Sequence, residues 1–376
     1  MRVDPSEPMA DASEPVPETE VGSAAEEPET KSWLAYANPG ARFLVGAACL
    51  VLVVAGLKAA AEILRPFVLA GVLAVTSMPL LRGLCRRGIP KPLAVLLTVL
   101  AVLLVVVGLV ALVGGSLNQF TEQFPKYQIQ LSEMIETGQS QLASYGMERV
   151  ALADLIDPGA FVDLIRGALA GIAGLVSKGF LVLLALIFIL LEATGFADKL
   201  QLAFGLTFDT QRLEQSLQEI QSYLAIKTAI SFATGVLVWG WVSLVGVDFP
   251  VLWGLVAFLL NYIPNLGSII AAIPPVFLAL IQLGPGAAFL TALGYVVVNF
   301  LFGNLLEPTL MGRRLGLSTL VIFVSLVFWG WVWGPLGMLL SVPLTMVLKI
   351  LLENTEDFRW LAVLLSPNPS PRTTQS

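Results

Sequence analysis

The sequence predicts an all-α, polytopic membrane protein: about eight transmembrane helices, a re-entrant hairpin broken by proline and glycine, and a small extracytoplasmic helical cap. Three observations predict it. Of 376 residues, 56% are hydrophobic and only 13% are charged, where a soluble domain averages about 25% charged; the mean hydropathy is +0.83. Several apolar runs exceed the roughly 20 residues that cross a bilayer as a helix, and none alternates as barrel strands do. Finally, residues 249–280, FPVLWGLVAFLLNYIPNLGSIIAAIPPVFLAL, are apolar over a membrane-crossing length yet interrupted by Asn261, Pro264, Asn265, Gly267, Pro274 and Pro275.

That interruption carries the functional argument. In lipid, backbone that leaves helical geometry is tolerated only where protein covers it or where it lines a hydrated cavity. Broken apolar segments therefore point to a transport site. The plainer alternative is a pair of ordinary helices joined by a Pro/Gly turn.

In chain order, residues 1–40 form an acidic tail with nine acids against Arg2 and Lys31. The chain beyond it holds 18 acids and 19 bases, so the overall charge of −6 belongs to the tail. Six prolines and few large apolar side chains keep this segment from folding. It reads as a solvated cytoplasmic tail, with a regulatory docking tail as the alternative. Its acidity also argues against a cleavable signal peptide. Transmembrane helices at 43–60, 63–81 and 92–115 make an N-terminal region, 41–115. An extracytoplasmic helical segment, 116–168, follows. The core, 169–355, holds spans at 169–192 and 224–246, the broken hairpin at 250–283, and spans at 286–305, 318–333 and 335–352. A cytoplasmic tail, 356–376, ends the chain. Cys49 and Cys85 sit in a span and a basic loop and give no disulfide framework.

Orientation follows the short basic loops. Arg82, Arg86, Arg87 and Lys91 place the second loop in the cytoplasm, and with it both termini. The 117–167 connection then lies outside, where its seven acids oppose Lys126, Arg149 and Arg166; it reads as short amphipathic helices carrying Phe124, Tyr127, Ile129, Leu131 and Ile135. Parity holds whether 250–283 is re-entrant or crosses twice. The short arms and polar tip favour re-entry. Residues 209–224, with Leu213, Leu217, Ile220 and Leu224 at helical spacing, predict an amphipathic helix at the interface or under the bundle. Trp253-Gly254 before Pro264, Gly267 and Pro274 is echoed by Trp329-Gly330 before Pro335, Gly337 and Pro343, as paired broken segments of a transporter repeat would be.

The chemistry absent from the sequence is as informative. The chain has no histidine, which removes Ser-His-Asp and Cys-His catalysis, HExxH metal sites and haem held by His. No phosphate-binding GxxxxGK[ST] loop and no cysteine cluster occur, so no cofactor or metal is expected and a gradient is the available energy source. The chain reads as no enzyme. Polar groups in apolar context are the candidates, because charge at membrane depth is costly. Lys227, with Thr228 and Ser231, either faces a central path or snorkels to the interface. Asn299, Asn304 and Glu307 precede Pro308; the i, i+3 spacing puts Asn304 and Glu307 on one helical face, where the carboxylate binds a cation or proton or pairs with Arg313 or Arg314. Asn261 and Asn265 flank the break. Lys58, Glu62 and Arg65 read as a solvated cluster, and Trp329, Trp331 and Trp333 as an aromatic belt.

The stretches LLNYIPNLGSIIAAIPPVFLAL (259–280), GNLLEPTLMGRRLGLSTL (303–320) and FWGWVWGPLGMLLSVPLTMVLKILLE (328–353), after IQSYLAIKTAISFATG (220–235), together resemble the autoinducer-2 exporter family. The resemblance covers about 40–365, and its NYIPN and EP…MGRRLGLS forms look closest to the branch that holds the quorum-signal exporter. It implies a multi-pass carrier of the bacterial cytoplasmic (inner) membrane. Members are connected with autoinducer-2 export and others with sodium/proton antiport. Carried over residue by residue, the pattern falls on Asn261, Tyr262, Pro264, Gly267, Pro274, Glu307, Pro308, Gly312, Gly316, Leu317, Gly337 and Pro343; the acidic tail departs from it.

The expectation is a carrier that exports a small polar solute without ATP, with sodium(lithium)/proton antiport and a non-transporting scaffold as alternatives. Its partners are the lipid bilayer, the solute, a proton or sodium ion and further copies of itself, with no nucleic acid.

Overall fold

The computed structural model describes residues 39–144, 179–193, 199, 210–264, 266–311, 316–353 and 359–366. It divides into two compact units, Met1–Val53 and Val54–Ser376. Of the first, residues 39–53 are described, all within helix α1 (Pro39–Ala59). The acidic tail lies outside the described residues.

Every regular element among the described residues is helical: α2 (Ala61–Arg86), α3 (Lys91–Ser144), α4 (Gly179–Ala193), α5 (Thr210–Val245), α6 (Pro250–Leu260), α7 (Leu266–Leu283), α8 (Pro285–Asn299), a π-helical segment (Phe300–Leu306), α9 (Glu307–Met311), α10 (Thr319–Trp333), α11 (Pro335–Leu339), α12 (Ser341–Glu353) and α13 (Arg359–Leu365). Among the described residues, five stretches are long and apolar enough to cross a membrane: Ala61–Arg86, Lys91–Phe120, Leu217–Val245, Leu266–Leu283 and Pro285–Met311. Shorter apolar helices join them at Leu44–Ala59, Gly179–Ala193, Pro250–Leu260 and Thr319–Trp333. Large apolar side chains such as Leu244, Phe180 and Leu320 are 71–84% exposed while Lys227 and Ser231 are buried. An apolar exterior around polar groups is the arrangement lipid selects. The chain is a polytopic helical membrane protein.

Two connections differ from the sequence reading. The third span does not stop near 115: α3 runs on for 54 residues through Gly114, Gly115 and Pro125, so the described part of 117–167 is its continuation and not a set of short helices. Interior glycines cost about 1 kcal/mol each, which the buried side chains of Phe120, Tyr127 and Leu131 on that continuation offset. A change of polarity is no helix stop. Likewise the amphipathic stretch at 209–224 and the span after it are one helix, the 36-residue α5.

α5 organises the core. On one side Val238 and Val242 pack with Trp253 and Ala257 of α6, Ala271 and Leu278 of α7 and Tyr295 of α8. Nearer its start, Ile220, Tyr223 and Leu224 pack with Met311, Leu317, Val342 and Met346. α5 and α6 meet almost backbone to backbone through a reciprocal contact. A Cβ on Gly235 would lie 2.8 Å from the Gly254 carbonyl and 2.9 Å from Phe258 Cβ; one on Gly254 would lie 2.8 Å from the Gly235 carbonyl and from Trp239 Cβ. Small residues let helices approach this closely in membranes.

Among the described residues the hairpin break falls at 261–264. The Ile263 amide bonds back to Leu260 and the Gly267 amide to Ile263, folding α7 onto the end of α6. A Cβ on Gly267 would sit 1.7 Å from the Leu260 carbonyl oxygen, so only glycine fits. Pro274 and Pro275 do not interrupt the segment: both are buried inside α7. They remove the helical donors of the Ile270 and Ala271 carbonyls; Ala271 is fully buried, while Ile270 is 44% exposed. A second break, at Gly334 (φ 70°), has the same device. A Cβ on Gly337 would lie 2.0 Å from the Trp329 carbonyl oxygen.

Candidate functional site

One face of α5 carries Tyr223, Lys227, Ser231 and Thr234, at successive helical turns. Lys227 is 2% exposed and Ser231 fully buried. Lys227 therefore does not snorkel. A buried ammonium needs a counter-charge, and Glu307 supplies it: Lys227 Nζ donates to Glu307 Oε1 at 2.6 Å. The glutamate side chain is 21% exposed, so the pair is closed at the ammonium and open at the carboxylate.

The π-helical segment brings Glu307 to this place. Pro308 has no N–H, and in an α-helix its ring would press on the carbonyl four residues back, at Asn304. Across Phe300–Leu306 the helix instead widens, and the Glu307 amide bonds Phe302, five residues back. In this register Asn304 is exposed while Glu307 turns inward. The two do not share the face that α-helical spacing predicted. Asn299 is half-buried, its Oδ1 against Gly303.

The break comes to the same stripe from α6. Asn261 Nδ2 donates to Ser231 Oγ at 2.9 Å, and Tyr262 Oη donates to Thr228 Oγ1 at 2.8 Å. Thr228 in turn donates to the Leu224 carbonyl at 2.7 Å. Tyr223 is buried within electrostatic reach of Glu307 and Tyr262. The arrangement offers a half-open carboxylate that can exchange a proton or cation, beside hydroxyl and amide groups that can bond an uncharged solute. Among the described residues, no group of three or more His, Cys, Asp or Glu could hold a metal ion.

At the far end of the hairpin, Asp248 ties three elements together. Its carboxylate accepts from Tyr127 Oη of α3 at 2.5 Å, its amide donates to Gln282 Oε1 of α7 at 3.1 Å, and its carbonyl accepts from Trp253 Nε1 at 2.9 Å. Burial first, then the bond to Asp248 and its charge, push the Tyr127 phenol well above its usual value of 10. It stays protonated as a donor. Phe249 adopts φ 59°, held edge-on against Phe120 and Tyr127 at centroid distances of 5.5 and 6.4 Å.

The sequence profile described as AI-2E family transporter matches residues 47–357. The chain belongs to the AI-2E transporter family. Among its relatives, the AI-2 transport protein TqsA of Escherichia coli is 40% identical over 330 residues, 87% of this chain and 96% of that protein. A Haemophilus influenzae relative is 39% identical over 333 residues, with 86% and 96% covered. Escherichia coli YhhT is 36% identical over 331 residues, with 87% and 95% covered.

Of the positions this AI-2E family member was expected to use, Lys227, Ser231, Asn261, Tyr262 and Glu307 gather at one place, with Pro264, Gly267 and Pro308 shaping the backbone around them. Pro274 lies farther along α7. Gly337 and Pro343 belong to the second break, where Ser325 Oγ donates to the Ser341 carbonyl at 2.9 Å and meets Thr345 Oγ1 at 2.6 Å, and Trp329 Nε1 donates to Thr345 Oγ1 at 3.1 Å. Trp329 and Trp333 are buried and only Trp331 is exposed, stacked under Lys58 Nζ at 4.0 Å; the three do not form one belt. Asn265, Gly312, Arg313 and Arg314 lie outside the described residues. Gly316 has φ 57° and accepts a bond from Lys349 Nζ at 2.8 Å, and Leu317 is buried beside it. Sequence reasoning missed Tyr223 and Thr234. Their spacing from Lys227, i−4 and i+7, was the available signal.

Proposed function

We propose that this protein is a carrier that exports a small polar solute across the bacterial cytoplasmic membrane without ATP hydrolysis, along the α5 stripe. The observation that supports it best is the buried Lys227–Glu307 pair with its open carboxylate, set beside a helix break tied to the same stripe. Paired, directional polar groups at membrane depth mark a solute or ion path. In this reading both termini are cytoplasmic, about eight helices cross, and α6–α7 is re-entrant. At 11 residues, α6 is about 16 Å long, short of the roughly 30 Å core, which argues against two full crossings although α7, at 18 residues, is long enough for one. The relative named for AI-2 transport makes autoinducer-2 the first solute to test. Sodium/proton antiport is the second reading, favoured by the half-open carboxylate.

The test is flux in proteoliposomes of purified protein loaded with autoinducer-2, under an imposed pH or sodium gradient. Solute movement that Glu307→Gln lowers about tenfold supports a coupled carrier. Gradient dissipation without solute movement moves the assignment to antiport, and absence of both refutes carriage.

A further inference from the structure

We propose that the hydroxyls of Thr234 and Tyr295 are hydrogen-bonding contacts for an uncharged solute held between α5 and α8. This rests on the carrier reading and adds to it a site and a ligand chemistry. Thr234 Oγ1 and Tyr295 Oη are buried and without a partner; among the described residues, Arg65 Nε and Gln130 Oε1 are the other side-chain atoms in that state. The two residues are 5% and 6% exposed. A buried hydroxyl with no partner forfeits the bond it makes in water, so each such group requires a reason.

Their placement supplies it. α5 runs antiparallel to the α8–α9 stretch, and the two are pinned at two heights. At one, Lys227 meets Glu307; at the other, Trp241 Nε1 donates to the Leu290 carbonyl at 3.0 Å, with the indole packed onto Gly294. Thr234 falls midway between the pins on α5, and Tyr295 falls between them on α8. Tyr295 packs in the cluster of Val238, Ala257, Ala271 and Leu278, an apolar surface suited to the carbon face of a compact molecule. Neither 228–240 nor 291–306 contains a charged side chain. A charged solute entering this interval would lose its hydration without compensation. A hydroxyl- or carbonyl-bearing neutral solute would complete both orphan groups and lose little. The ion pair is thus one end of the interval, and discrimination against charge belongs to the stretch between the pins.

Thr234→Val and Tyr295→Phe each remove a hydroxyl and keep the shape. In detergent without solute, each variant should melt about 2 °C above wild type, because a group held for a ligand is a liability when the ligand is absent. In proteoliposomes, exchange of autoinducer-2 should fall about tenfold in each. A melting temperature at or below wild type means that protein or water already satisfies the hydroxyl, and overturns the proposal. Undiminished exchange in both variants overturns it as well, while exchange by wild type keeps the carrier reading. If wild type exchanges no autoinducer-2, that reading of the solute fails; the melting temperatures alone then decide, a rise supporting a reserved site and its absence refuting one.

Discussion

At residue scale the protein is governed by what an ammonium group costs when only 2% of its side chain meets solvent. Glu307→Gln would strand Lys227 without a counter-charge, at a cost of about 3 kcal/mol. Lys227→Met would leave a carboxylate that still reaches solvent, so the loss should be smaller, about 1 kcal/mol. The double variant should recover most of both losses. Chemical denaturation of the four proteins measures the coupling, and purely additive single effects would show that the two groups do not interact. Lys227 and Glu307 were each legible in the sequence as polar groups in apolar context. Their pairing was not, because 80 residues separate them and the helix between Pro285 and Met311 changes its bonding pattern on the way.

At the scale of elements, glycine does opposite things at different places. Gly267 lies where a Cβ would overlap the Leu260 carbonyl, whereas around Gly108 of α3 there is nothing within 4 Å of that position. Gly267→Ala should therefore destabilise by about 3 kcal/mol or prevent folding, while Gly108→Ala should stabilise by about 0.5 kcal/mol through backbone entropy alone. Thermal melting of the two variants checks the contrast, and similar shifts would contradict the close contact at the break. The break was readable from Asn261, Pro264 and Gly267 because turn chemistry is local. The continuity of α7 through Pro274 and Pro275 was not, because it depends on helices packed from elsewhere. For the same reason the π-helical segment left no trace in the spacing of apolar residues.

For the whole molecule, the apolar composition fixed the class, since lipid admits few alternatives to helices. It did not fix where helices end. α3 and α5 both run past the polarity changes that seemed to bound them, as side chains beyond those points are buried. The orientation read from Arg82, Arg86, Arg87 and Lys91 makes a direct prediction. In a Cys49→Ser, Cys85→Ser background, Leu283→Cys, at an exposed end of α7, should react with an impermeant maleimide on intact cells. Lys91→Cys should react only in inverted vesicles. Labelling of both from one side would invalidate the assigned orientation and the direction of export with it.

The widened turn before Glu307 makes the number of residues in this helix a determinant in its own right. A π turn holds one residue more than an α turn. Deleting a single position from 300–306 would remove that extra residue and let the helix return to ordinary winding, with everything downstream near its present phase. A residue inserted in the α-helical part of α8 would instead turn Glu307 by about 100° and push it about 1.5 Å along the axis, so that it would survive as a residue and miss Lys227 as a partner. No substitution has that effect, because a substitution changes what a side chain is and leaves its phase around the axis intact. The counterpart of Lys227 is therefore specified by a length as much as by a carboxylate, and an insertion in the α-helical turns before it would act as a frameshift in three dimensions.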